Sequence, residues 1–255
     1  MRLIDTALVT GANRGLGLAF VEELVDRGAR RVWAAARNVA DCAPLVERFG
    51  DTVCPVTLDL ADPASIEAAA AAVFGVDLIV SNAGVSMIAP FLDQAEADQR
   101  RMFEINVWGP QRLIRALLPQ LREGRGGVLY VLSMASLLPA LSAEGYSASK
   151  AAAMMMGHGM RHALMGDGVG VTLSYPGFID TDLGRNFDVP RAPPRLVAAR
   201  AIDDWQAGLT SSFPDVFSRM TRDALCERMD RVLTEPGKLL EEMVVDFMGR
   251  SDAGQ

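Results

Sequence analysis

Short apolar runs alternate with longer stretches in which apolar residues return every three or four positions, and this alternation persists to about residue 180. Thr6-Ala7-Leu8-Val9-Thr10 reads as a strand buried on both faces. The pattern through Phe20, Leu24 and Val25 reads as a helix that ends near Gly28. Further strands are predicted over 31–36, 52–57, 76–80, 128–132 and 169–175. Pro55 keeps the third strand out of mid-sheet, because proline has no N–H to give a ladder. A helix is predicted to start at Asp62 with Pro63 in its first turn, a long one spans 95–121 with a bend or break at Pro110, and another continues from Tyr146 through Met156. The fold class that follows is α/β, a Rossmann-like doubly wound parallel sheet with helices on both faces.

Beyond Leu183 the pattern loosens. Pro190, Pro193 and Pro194 break the chain before a helix around 195–207, then come a short apolar piece at 213–217 and a helical region over 223–248, interrupted near Pro236-Gly237. The tail from Ser251 to Gln255 reads as disordered. With 255 residues, no internal repeat and no low-complexity linker, one domain over 1–255 is expected.

Composition excludes some roles. Half of the residues are hydrophobic, which describes a globular chain, and a formal charge of −7 argues against nucleic acid as a partner. Cys42, Cys54 and Cys226 are odd in number and lack metal-ligand spacing, which points to reduced thiols in a cytoplasmic protein. No apolar run approaches the roughly 20 residues of a transmembrane helix, so no membrane partner is expected.

Candidate chemistry begins at Gly11-Ala12-Asn13-Arg14-Gly15-Leu16-Gly17, a glycine loop between a strand and a helix. Such a loop lets the backbone approach a pyrophosphate at a helix N-terminus, whose free N–H groups favour an anion. Twenty residues beyond Gly17 the second strand ends at Arg37, where an acid would bind the ribose hydroxyls of NAD and an arginine suits the 2′-phosphate of NADP. Arg14 supplies a second cation and no acid stands beside Arg37, so NADP(H) is preferred and NAD(H) is the alternative. Ser81-Asn82-Ala83-Gly84 follows the fourth strand, on the edge where open α/β sheets bind ligands. Asn106 lies among apolar neighbours, and two roles stay open for it: bonding a kinked backbone or buried water, or holding a functional water. Tyr146 and Lys150 stand four apart on one helix face, so the ammonium can favour the phenolate and make the tyrosine a general acid or base; alone, such a pair is more often a half-buried ring beside a solvated charge. The methionines at 154–156 suit packing against the core or against a symmetry partner. His158 and His162 have no further ligands near them in sequence, so no metal is expected; Asp180 and Asp182 suit solvated or capping roles.

Taken together, these residues resemble the short-chain dehydrogenase/reductase family over roughly residues 6 to 183. Thr10-Gly11-x-x-x-Gly15-x-Gly17 matches its cofactor loop, Asp59 (with Leu60 beside it) the acid after the third strand that contacts adenine, and Asn82-Ala83-Gly84 its NNAG turn, with Ser81 in place of the first asparagine. Asn106, Ser133, Tyr146 and Lys150 match the catalytic tetrad, and Pro176-Gly177 with Ile179 and Thr181 match the segment around the nicotinamide. The resemblance implies an NADP(H)-dependent oxidoreductase that interconverts a small-molecule carbonyl and an alcohol. Tyr146 would exchange the proton, Lys150 would lower its pKa and bond the nicotinamide ribose, Ser133 would bond the substrate oxygen, and Asn106 would position a water linking Lys150 to solvent. A homodimer or homotetramer is implied too, although the C-terminal VDGG-type motif of many relatives is absent. Residues 184–255 then form the divergent substrate lid, in which Phe187, Val189, Leu196 and Trp205 either line an apolar pocket or pack on the core. The competing expectations are an NAD-dependent alcohol dehydrogenase and a catalytically silent, cofactor-sensing binding protein.

Overall fold

The computed structural model describes residues 3–140, 142–186, 188–227 and 236–252. The strands in chain order are β1 (Thr6–Thr10), β2 (Arg31–Ala36), β3 (Val53–Thr57), β4 (Leu78–Ser81), β5 (Gly127–Val131), β6 (Gly170–Ser174) and β7 (Ser211–Ser212). They form one seven-stranded sheet in the order β3-β2-β1-β4-β5-β6-β7, with every pairing parallel. Pro55 sits in the edge strand β3, where a missing N–H costs no inner ladder bond. The hydrophobic pattern predicts six of these strands. The seventh, Ser-Ser, is too short and too polar to register as a strand by hydrophobic pattern.

Alternate residues along each inner strand feed opposite cores. Leu8, Ile79, Val128 and Tyr130 join Ile66, Leu113, Leu117 and Leu164 on one face. Ala7, Val9, Leu78, Val80, Leu129 and Val131 join Phe20, Leu24, Val197, Ile202 and Trp205 on the other. The helices that supply these residues are α3 (Pro63–Ala72), α5 (Gly109–Glu123) and α6 (Glu144–Leu164) on the first face, and α1 (Gly15–Asp26) and α7 (Pro194–Gln206) on the second. Asp62 caps α3 by accepting the Ala64 N–H at 2.9 Å, and Pro63 fills a first-turn position that needs no donor. Helix α2 (Ala43–Phe49) adds Leu45 beside α1.

The break expected at Pro110 has a different form. Helix α4 (Glu96–Phe103) passes into a π-turn over Glu104–Trp108, and α5 begins only afterwards, with Pro110 in its first turn. Proline has no N–H for the Asn106 carbonyl four residues back, and the Tyr130 hydroxyl donates to that carbonyl instead, at 3.2 Å.

Near the C-terminus, α8 (Val216–Glu227) is followed by α9 (Pro236–Asp252). Residues 228–235 and 253–255, parts of the predicted 223–248 helical region and of the tail, lie outside the described residues. Ser251, expected in a disordered tail, belongs to α9. Trp205 is 1% exposed and packs on the β-sheet face beneath α7, so it is a core residue and lines no lid. Leu196 is exposed on α7, Val189 lines the cleft described below, and Phe187 lies outside the described residues. Met154 and Met156 pack against the core, while Met155 points outward.

Candidate active site

The chain leaves β1 toward β2 on one side, while β4 lies on the other, so the carboxyl ends of β1 and β4 open a crevice. Its floor is the glycine loop. Gly11 and Gly15 take φ of +66° and +56°, a region that side-chain-bearing residues rarely enter. A Cβ on Gly17 would lie 2.0 Å from the Gly11 carbonyl oxygen and 2.7 Å from Asn82 Nδ2, so the first turn of α1 presses directly on the loop. Thr10 Oγ1 accepts the N–H groups of Asn82 and Ala83 at 3.0 and 2.9 Å, and Asn82 Nδ2 donates to the Thr10 carbonyl at 2.9 Å. These bonds lace the ends of β1 and β4. They occupy the side chains of Thr10 and Asn82 with structure and leave the loop backbone as the cradle. No side chain caps the start of α1, so its first N–H groups suit a phosphate.

A cavity of about 960 Å³ runs from this loop across the sheet edge. Thr10, Gly11, Asn13, Arg14, Gly15, Leu16, Gly17, Arg37, Asp59, Leu60, Asn82, Ala83, Gly84, Tyr146, Lys150, Pro176, Gly177, Ile179 and Thr181 all line it, as does Ser133. Asn106 stands behind the wall. At the adenosine end the charge pattern differs from the sequence expectation of two cations and no acid. Asp41, in the short turn after β2, lines the same cavity as Arg37, and Arg14 is paired with Asp182 at 2.8 Å. The turn that carries Asp41 back toward the glycine loop hides this proximity from the sequence.

The reactive end is assembled from β5, the π-turn and α6. Ser133 follows β5, accepts the Ala135 N–H at 3.1 Å, and hydrogen-bonds Tyr146. Lys150 is buried, donates to the Val131 carbonyl at 3.1 Å, and places Nζ 5.8 Å from the Tyr146 ring centre. Burial pushes the Tyr146 phenol up to about 12, opposed by the Ser133 bond, and pushes the Lys150 ammonium down to about 8. For Tyr146, desolvation outweighs the lowering by Ser133, so the net direction is upward. Near neutral pH the pair stands as a protonated phenol beside an ammonium.

The Asn106 side chain makes three hydrogen bonds within the protein. Its Oδ1 accepts the Val85 N–H, and its Nδ2 donates to the Val85 carbonyl and to Ser149 Oγ, each at 2.9 Å. Ser149 Oγ in turn donates to the Tyr146 carbonyl at 2.7 Å. A Cβ on Gly84 would meet Asn106 Oδ1 at 3.1 Å and Lys150 Nζ at 3.4 Å, so glycine there lets the three elements converge. The Asn106 bonds tie the segment after β4 to the π-turn and to α6.

Sequence reasoning missed several parts of the wall: Asp41, Ser86, Ala140, Ala143, Asp188, and Leu240, Glu241, Val244 and Val245 of α9. Leu240 also packs with Met134, Leu138 and Phe217, which seats α9 beside the segment after Ser133. No pattern before residue 184 points to that helix. Asp180 and Asp182 form exposed ion pairs with Arg191, and with Arg14 and Arg185. Among the described residues no three His, Cys, Asp or Glu side chains converge as a metal site, and no helix is long and apolar enough to cross a membrane.

The doubly wound parallel sheet thus carries one cleft lined by the glycine loop and by Ser133, Tyr146 and Lys150, on the edge where open α/β sheets bind ligands. The family model for short chain dehydrogenases matches residues 5–191, and the chain belongs to that family of oxidoreductases. An uncharacterized oxidoreductase of Myxococcus xanthus is 37% identical over 195 residues, covering 72% of this chain and 77% of its own. The 1-deoxy-11-beta-hydroxypentalenate dehydrogenase of Streptomyces avermitilis is 31% identical over 197 residues, covering 73% of each chain. Among solved structures, a short chain dehydrogenase of Burkholderia cenocepacia in complex with NADP superposes with a TM-score of 0.84 at 30% identity, covering 90% of this chain and 97% of that one.

Proposed function

We propose that this protein is an NADP(H)-preferring oxidoreductase that interconverts a carbonyl and an alcohol on an apolar small molecule, working as a reductase where NADPH predominates. One observation carries the reading: Ser133, Tyr146 and Lys150 meet at one end of a single cavity whose other end is the glycine loop. When bound, the cofactor supplies the hydride. The loop backbone and the start of α1 would hold its phosphates, Arg37 and Arg14 would answer a 2′-phosphate, and Lys150 would bond its nicotinamide ribose. Ser133 hydrogen-bonds the substrate oxygen and aligns it with Tyr146. The phenol, held protonated by a pKa of about 12, gives its proton to that oxygen as the alcohol forms. Met134, Ala140, Ala143, Phe178, Leu240 and Val244 line the cavity, which supports an apolar substrate. The Burkholderia relative with bound NADP supports the cofactor.

The test is a panel of ketones, aldehydes and quinones followed at the nicotinamide absorbance, with Tyr146→Phe beside the wild type. The expected result is turnover by the wild type and its loss in Tyr146→Phe, with NADPH affinity nearly unchanged. Turnover surviving in Tyr146→Phe removes the assigned acid, and NADPH binding without any turnover favours a cofactor-sensing protein. The same reading places the protein in the cytoplasm as a homodimer or homotetramer. Trp108 and Met155, 45% and 64% exposed, support a partner face, which light scattering after gel filtration checks.

A further inference from the structure

The two cations Arg14 and Arg37 share the cavity wall with carboxylates, among them Asp182 and Asp41. Arg14 Nη1 donates to Asp182 Oδ2 at 2.8 Å, so its charge is already partly answered within the protein. Asp41 belongs to the short turn Val39–Cys42 directly after β2, and it lines the cavity together with Arg37, Arg14 and Asn13. Its position is built. Asn38 caps the turn by accepting the Ala40 N–H at 3.2 Å, and donates from Nδ2 to Asp41 Oδ1 at 3.1 Å. Asn13 of the glycine loop reaches Asp41 Oδ2 from the other side at 3.4 Å. Two amides on two different loops thus hold one carboxylate at the rim of the nucleotide cleft.

We propose that Asp41 sets the cofactor choice of this enzyme, restraining the NADP preference that Arg37 and Arg14 create and keeping NADH usable. The proposal rests on the nicotinamide-binding reading above. A phosphate on the ribose 2′-oxygen brings negative charge toward Arg37 and meets Asp41 on the same wall, where like charges repel. Without that phosphate, the ribose hydroxyls are donors, and the Asp41 carboxylate is an acceptor for them. The arginines and the aspartate therefore pull the selection in opposite directions. An acid four residues past the arginine, on a turn that folds back, performs the role that an acid at the strand end performs elsewhere.

The experiment measures dissociation constants of NADPH and NADH by fluorescence for the wild type, Asp41→Asn and Asp41→Glu, at low and high salt. Asp41→Asn is expected to tighten NADPH by about threefold to tenfold while NADH stays within about twofold or weakens, as the removal of one nearby charge near the surface allows. Asp41→Glu keeps the charge and the wild-type ratio, and the gain in Asp41→Asn shrinks at high salt because it is electrostatic. An NADPH/NADH affinity ratio that stays the same or falls in Asp41→Asn overturns the proposal, as does a gain that salt leaves untouched. If the wild type binds neither nucleotide, the proposed function itself fails. If it binds one and Asp41→Asn is silent, only the role of Asp41 fails.

Discussion

At the scale of single residues, burial sets the working state of the site. Lys150 has a folded pKa of about 8 against an ordinary 10.5, so between those values the unfolded chain binds more protons and this group's contribution to stability rises with pH. Tyr146 has the opposite sign: its phenol is held at about 12 against an ordinary 10.0, so the native state binds more protons in that window and stability falls as pH rises through it. In the proposed binding role of Lys150, the ammonium is the donor. NADPH affinity of the free protein is expected to fall about threefold to tenfold as pH rises through about 8, because a charged donor becomes a neutral one. A flat fluorescence titration between pH 6.5 and 9.5, as flat as that of Lys150→Met, counts against this role. Gly17→Ala drives a Cβ against the Gly11 carbonyl, a backbone atom that cannot rotate away. It is expected to cost about 1–3 kcal/mol, lowering Tm by roughly 2–10 °C, and to abolish NADPH binding. The glycine loop and the Tyr146–Lys150 pair were legible in the sequence because each is a short, local pattern. The Arg14–Asp182 pair and the place of Asp41 on the cavity wall were not, because both depend on how two turns fold back over the cleft.

At the scale of elements, the π-turn over Glu104–Trp108 connects the site to the sheet. It turns Asn106 toward Val85 and Ser149, and Tyr130 of β5 supplies the donor that Pro110 withholds. Tyr130 is 1% exposed, and burial pushes its phenol upward, so it acts as a fixed donor across the accessible pH range. Tyr130→Phe leaves the Asn106 carbonyl without that bond and is expected to cost about 1–3 kcal/mol, a Tm loss of roughly 2–10 °C by thermal unfolding. An unchanged Tm shows that water or a shifted backbone replaces the hydroxyl. Pro110 announced an interruption in the sequence. Its nature stayed hidden because one extra residue in a turn barely shifts a 3.6-residue period. Strand β7 escaped for the related reason that two serines carry no hydrophobic pattern.

At the scale of the molecule, the regular alternation of strands and helices made the doubly wound sheet readable from residue 6 onward, since strands buried on both faces must be apolar throughout. The far wall of the cleft was unreadable. It is supplied by α9, which lies more than 80 residues from Tyr146 in the chain and reaches the site through Leu239, Leu240 and Met243 packed on Met134 and Leu138. The amphipathic pattern of α9 resembles that of any surface helix, so nothing in it names the surface it covers. Val244→Asp puts a charge on this wall and is expected to raise the KM for an apolar ketone about tenfold or more while leaving the NADPH dissociation constant within about twofold, since an unpaired carboxylate there meets the substrate and not the nucleotide. Equal losses for both ligands in steady-state and binding measurements place α9 over the nucleotide instead.

Pro176-Gly177 has a second tether besides β6. The buried Asp215 carboxylate accepts the Gly177 N–H at 2.8 Å and the Ser218 N–H at 2.9 Å, so one side chain fastens the loop beside Tyr146 and Lys150 on the cavity wall to the head of α8. In engineering terms the chain has a joint at Asp215. Any shift at the head of α8 is therefore passed to Pro176-Gly177 through this one acid.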